Sequence, residues 1–243
     1  MTWERRVEYL GLAAVGVAAS GRDHGDLVDV RIVLEVCAFL LFLASWLGYE
    51  AYHTRRSRQR PESTRYGRLI ARQSRWIDAI VARDEPLLMI HSLRTISRQV
   101  ILLASLALLA VGGAFGLLLS TERFQALCQV TRLFGHPSDL VLQLKLLLLV
   151  TVLAFTFLAF VWALRALLAA HLYTTGPPGE SADLSWGLRH YFEYLQLDFR
   201  HGLRGAYYGV DLMVWLFNTE LFIVTTIALT ISLARYDFAR HVG

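Results

Sequence analysis

The stretch LVLQLKLLLLVTVLAFTFLAFVWALRALL, Leu140–Leu168, decides the fold. Only Lys145 and Arg165 in it carry charge. A helix of this length crosses a hydrocarbon layer of about 30 Å, for which about 20 apolar residues suffice. Helical backbone satisfies its own hydrogen bonds, so a helix is the form such a run takes in lipid. Three further runs, Val30–His53, Val100–Ser120 and Leu212–Leu233, reach comparable length. Across all 243 residues the hydrophobic share is 55% and the mean hydropathy is +0.43. That apolar content lies in blocks, not in amphipathic stripes. The expectation is an all-α polytopic membrane protein with four transmembrane helices (30–53, 100–120, 140–168 and 212–233) and additional amphipathic helices.

Outside these spans the chain divides simply. MTWERRVEYLGLAAVGVAAS has a signal-like outline, but Glu8 interrupts its apolar run. Its apolar length is too short to span. Residues 1–29 therefore read as an interfacial or re-entrant helix plus an outer loop, with a fifth span as the alternative. Residues 30–243 form the transmembrane domain, with amphipathic segments 54–99 and 169–211. Cys37 and Cys128 suggest no disulfide framework and no CxxC site.

The basic charge follows membrane topology. Eleven arginines between Arg55 and Arg98 separate the first two spans. Arg189, Arg200 and Arg204 follow the third, whereas the intervening loop has only Arg123 and Arg132. Arginine is retained on the cytoplasmic side, so the first and third connections face inward in a bacterial-type inner membrane, with both termini outside. The same distribution explains the net charge of +4 without nucleic acid. In the first connection Leu69, Ile70, Trp76, Ile77, Ile80 and Val81 recur at helical spacing. Arg65, Arg68, Arg72 and Arg75 occupy much of the remaining surface. Such a helix either binds anionic lipid headgroups, at about 1 kcal/mol per arginine, or packs on its neighbours. Ser63 or Thr64 suits its start, and Pro86 suits the first turn of a new helix leading into the second span.

Ionisable residues inside spans are costly and face partners or cavities. Away from the span ends these are Glu35, Lys145, Arg165 and Glu220; Arg31 and Glu50 lie close enough to the ends of the first span to reach headgroups. Arg165, near the cytoplasmic end, can snorkel. Glu35 and Lys145 each lie five residues, about 7 Å, below the outer boundary, so a cross-helix pair is expected. Glu220 is placed roughly 20 Å from the outer face. The functional reading is an ion or proton path, with Lys145 attracting anions and Glu220 acting as a gate or proton site. The structural reading is an ion pair and a hydrogen-bonded carboxyl that hold the helices together. Ala104, Gly112, Gly116 and Ser120 recur at multiples of four and permit close helix packing, within the bundle or between protomers.

No cofactor or metal is expected. No histidine occupies the middle of a span, though His53 and His171 could meet at the cytoplasmic ends of spans one and three. Asp23, His24, Asp26 and Asp29 read as a solvated loop. No hydrolase, zinc-protease or nucleotide-binding motif stands in suitable context.

FLASWLGYEAYHTR around Trp46, Gly48 and Tyr49, RQSRWIDAIVARD around Arg75 and Trp76, SLRTISRQVILLAS, the lysine-bearing start of the third span, and LRGAYYGVDLMVWLFN together resemble an uncharacterised bacterial and plant membrane family, domain of unknown function 599. The resemblance runs from about Ile32 to Leu233. It implies four spans with a basic loop after the first, and it implies no established activity. Two functions are carried forward. One is a homo-oligomeric pore or permease for an ion or small solute. The other is a non-catalytic accessory subunit of a larger membrane complex; an enzyme is not expected.

Overall fold

The computed structural model describes residues 30–59, 64–83, 86–132, 138–175 and 181–238. The N-terminal segment, its acidic cluster at Asp23, His24, Asp26 and Asp29, and the loop prolines lie outside the described residues. Among the described residues the fold is all helical, with seven helices. They are α1 (30–59), α2 (Arg65–Arg83), α3 (Pro86–Leu119), α4 (Thr121–Arg132), α5 (Asp139–Thr175), α6 (Ser181–Phe217) and α7 (Thr219–Phe238). Four helical stretches are long and apolar enough to cross a membrane: Val30–Ser57, Leu87–Leu119, Asp139–Thr174 and Thr219–Phe238.

The third expected span is the axis of the molecule. α6 runs antiparallel to α5 along its length, with Gly187 against Tyr173, Gly202 against Phe160, Gly205 against Thr156 and Gly209 against Leu153. A methyl group on Gly202 would lie 2.6 Å from the Phe160 ring, so the backbone approach requires glycine there. These are the glycines that bring helices together. Gly112 and Gly113 have nothing within 4 Å of a built Cβ, and Gly116 meets only an Arg123 side-chain nitrogen at 3.8 Å. Of the expected packing stripe only Ala104 is buried against the core. Ser120 instead breaks the chain between α3 and α4, where its hydroxyl accepts from the Arg123 amide. A four-residue spacing of small side chains marks a smooth stripe, and neighbouring helices need not cover it.

Two cores follow one another along the α5–α6 hairpin. The first joins Ile77 and Ile80 of α2, Val100 and Ala104 of α3, Phe160 and Ala163 of α5, and Leu188 and Phe192 of α6. The second joins Phe42 of α1, Leu146 and Val152 of α5, Tyr208 and Trp215 of α6, and Phe222 of α7.

The fourth expected span, 212–233, is divided. α6 ends at Phe217, Asn218 caps the next helix by accepting the Leu221 amide at 2.8 Å, and α7 turns back along α6. Trp215 stacks on Phe222 with ring centroids 4.8 Å apart, which defines a hairpin. Apolar residues on both sides of Asn218 had merged into one run in the sequence. The first half of α6 is polar, so hydropathy did not reveal a continuous helix along α5. Thr219 bonds to Glu35 at one end of the bundle, and Asp237 bonds to Tyr49 at the other. The start of α1 and the end of α7 therefore lie at opposite ends of the bundle.

α2 follows the second of its two expected readings and packs on its neighbours. Thr64 caps it, accepting the Gly67 amide at 3.1 Å. Arg200 stacks over Tyr66, Phe192 meets Trp76 and Arg189 pairs with Asp78, so α2 runs antiparallel to α6 and along the bundle axis. Arg65, Arg68, Arg72 and Arg75 are strung over about 15 Å in that direction. Burying Ile77 and Ile80 in the core outweighs laying the apolar face on lipid. α3 starts at Pro86 as expected.

Candidate functional site

The first charged cluster closes around Lys145, which is 3% exposed. Its Nζ donates to Glu35 Oε1 at 2.8 Å, to the Trp215 carbonyl at 3.2 Å and to Thr219 Oγ1 at 3.3 Å. An ammonium has three protons, and each has an acceptor. Glu35 Oε1 also accepts the Thr219 hydroxyl at 2.7 Å, and Oε2 accepts the Trp215 indole N–H at 2.8 Å. The ammonium lies 4.9 Å from the Trp215 ring centroid. The structure thus brings together Glu35 and Lys145, the two residues matched by depth in the sequence. Their bonding leaves the ammonium no proton for an incoming anion.

Glu220 is not in mid-span. It is exposed in the first turn of α7, one residue beyond Thr219 at the level of Lys145. A carboxylate there complements the positive end of the helix dipole. The depth count failed because it ran through Asn218 as if the helix were continuous. Arg165 is exposed on α5.

Two groups went unread in the sequence. Asp211 is 5% exposed and accepts the hydroxyls of Thr225 and Thr226, each at 2.6 Å. It sits one turn, about 6 Å, along α6 from Trp215. Next along α6, the Tyr208 hydroxyl donates to the Ser45 carbonyl at 3.2 Å and lies beside Thr230. Ser45 belongs to a π-helical turn, Ala44–Gly48. Such turns displace backbone carbonyls from the regular helical ladder.

Beyond that turn lies the largest constellation. Glu50 accepts from Arg200 at 3.0 Å and His201 at 3.1 Å, and it pairs closely with Arg204. Arg204 also pairs with Asp237, which accepts the Tyr49 hydroxyl at 2.7 Å. His53 is fully buried, with Nδ1 2.9 Å from Arg200 Nη1. A guanidinium only donates, so His53 Nδ1 is the acceptor and its proton rests on Nε2, which lies 3.6 Å from Asp237, beyond hydrogen-bond reach. A carboxylate only accepts, which makes His201 Nε2 the donor to Glu50. Arg200 and Arg204 balance Glu50 and Asp237. On the far side of Arg200, burial pushes the Tyr66 phenol above its usual range, with the arginine's charge opposing. Glu50 also lines a shallow, wide-open cavity along one face of α1, of about 640 Å³, with Leu47, Ala51, Thr54, Arg55 and Gln59.

His53 and His171 do not meet. His53 packs against Tyr66 and Phe238, while His171 lines a groove between α3 and α5. Among the described residues no group of three or more histidine, cysteine or acidic side chains could hold a metal. The sequence signals for the larger cluster were Arg200 and Arg204 one turn apart and Glu50 fifteen residues after Glu35. Each had been assigned to topology or to headgroups.

Long apolar helices and buried charges paired between them define a polytopic helical membrane protein. A family model described as "Protein of unknown function, DUF599" matches residues 37–242, and the chain belongs to that family. Neither a curated protein nor a solved structure matches.

Proposed function

We propose that the chain is a membrane permease that moves protons along the seam between α1, α6 and α7. One observation carries this reading: ionisable and hydroxyl groups recur at successive levels through that seam. In order they are Glu35–Lys145–Thr219, Asp211–Thr225–Thr226, Tyr208–Thr230, and Glu50–Arg204–Asp237 with Tyr49 and His201. Carboxylate and histidine files inside membranes mark proton relays, because each buried ionisable group is costly. The seam lies within one chain, so a path would not depend on self-assembly. The rings of Phe42, Trp215 and Phe222 separate the first two levels. An apolar plug of this kind would oppose passage of hydrated ions. Glu50 and its cavity would connect the path to the arginine-rich, cytoplasmic side. In this arrangement α6 is a fifth crossing, and Phe238 faces the cytoplasm.

The test is proton flux into proteoliposomes carrying an internal pH dye under an imposed potential. Flux above empty vesicles, lost in Asp211→Asn with the assembled protein intact, is the expected result. Absence of flux at every potential and pH tried would sink the proposal.

The accessory-subunit reading draws on a different observation: Lys145 and Glu35 satisfy each other so fully that they hold helices together without transport. It predicts co-purification with a stable membrane partner after mild extraction.

A further inference from the structure

We propose that the groove between α3 and α5 binds an anionic phospholipid of the cytoplasmic leaflet. The groove has a volume of about 380 Å³, and its lining combines a cluster of polar groups with an apolar part. Arg94, Ser97 and His171 are its polar groups, with Ile90 one turn further along α3; Ile101, Leu164 and Leu168 line the apolar part. Arg94 precedes Ile101 by seven residues, and His171 follows Leu164 by seven on the antiparallel helix. Each interval corresponds to about 10 Å, so the polar groups of the two walls lie at the same level, about two turns from Ile101 and Leu164. That step is comparable to the distance from acyl chain to headgroup region in one leaflet.

The charge has one sign. No carboxylate lines the groove, and Arg98 and Arg165 are exposed nearby, one turn from Arg94 and one residue from Leu164. A guanidinium presents parallel N–H groups that match two phosphate oxygens. Ser97 donates its hydroxyl proton to the Leu93 carbonyl at 2.8 Å, so its oxygen lone pairs accept from the occupant. A hydroxylated headgroup such as phosphatidylglycerol offers that donor together with the negative phosphate. Phosphatidylcholine offers neither a headgroup donor nor a net charge. Leu102 and Leu109 continue an exposed apolar face along α3 beyond the groove, where acyl chains would lie. This inference rests on the membrane reading of α3 and α5 and is independent of proton movement.

The experiment is native mass spectrometry of the full chain in detergent, titrated separately with phosphatidylglycerol, phosphatidylcholine, glycerol phosphate and inorganic phosphate. Phosphatidylglycerol should be retained on the order of tenfold more tightly than phosphatidylcholine, the factor expected from a charge-assisted hydrogen bond. Arg94→Ala with His171→Ala should abolish the difference, and Ile101→Trp, which fills the apolar half, should weaken retention of phosphatidylglycerol. Arg72→Ala with Arg75→Ala should leave retention unchanged. Equal retention of the two lipids, or an unchanged preference in Arg94→Ala/His171→Ala, overturns the proposal. Displacement of phosphatidylglycerol by millimolar inorganic phosphate overturns it too, because the site would then be one for free anions. Should the double variant fail to assemble, undiminished retention by Ile101→Trp overturns it instead.

Discussion

Replacing Lys145 by methionine tests whether its ion pair is coupled to the surrounding fold. The ammonium is 3% exposed and donates to Glu35, the Trp215 carbonyl and Thr219, so the substitution removes all three bonds together. Glu35 would keep only the Trp215 and Thr219 donors and would lose its counter-charge. Removing one member of a buried pair costs about 3–5 kcal/mol. A chain of this size loses about 2–4 °C in Tm per kcal/mol, so Lys145→Met should lower Tm by roughly 6–20 °C. The second arm is Lys145→Met with Glu35→Gln. The amide carbonyl that replaces the carboxylate can still accept the indole or the threonine hydroxyl, and no unpaired charge remains. The double variant should therefore recover most of the loss and melt within about 5 °C of the parent, since apolar or neutral replacement of a whole buried pair is often close to neutral. The assay is thermal unfolding in detergent followed by size-exclusion recovery or circular dichroism. A double variant as unstable as the sum of the singles would refute the coupling. A single variant within about 1 °C of the parent would show that the ammonium's burial is not sustained by Glu35.

Gly205→Leu should prevent close seating of α6 on α5, with a loss of several kcal/mol typical of overpacking or worse; Gly112→Leu, on an open face, should change Tm by no more than a degree or two. Arg204→Ala leaves both Glu50 and Asp237 without their shared partner and should cost about 3–5 kcal/mol in the same unfolding assay. Glu220→Gln loses only a helix-end interaction and should cost about 0.3–1 kcal/mol, measured by chemical unfolding at low salt. On a cysteine-free background, an impermeant maleimide applied from outside should label Glu220→Cys and leave Tyr236→Cys unlabelled. Labelling of both would overturn the five-pass arrangement.

The legible parts of the fold and of the candidate site share a physical cause. Desolvation is local to a stretch of chain: Leu140–Leu168 must be helical in lipid whatever surrounds it, and Lys145 within it must find an acceptor. Matching depths from the span ends sufficed to nominate Glu35. The depth count failed for Glu220, because one capping residue, Asn218, reverses the chain without interrupting the apolar run. Arg200, Arg204 and Glu50 carry no local sign of their meeting. Their types fit a cytoplasmic rim equally well, and only the rotation of α1 and α6 about their axes turns them inward. The small-residue stripe at Gly112 and Gly116 meets no other helix of the same chain closely, since closeness depends on what lies opposite.

By itself, then, the sequence determined the membrane environment, the helical class and the need to neutralise Lys145, because these follow from the transfer cost of each segment into lipid. Tertiary structure alone decided that α6 accompanies α5 through its length, that α7 doubles back, and that Glu50, Asp237, Arg200 and Arg204 converge with two histidines. Those are outcomes of antiparallel packing across glycines at Gly202, Gly205 and Gly209, where the partner surface selects the face each helix turns inward.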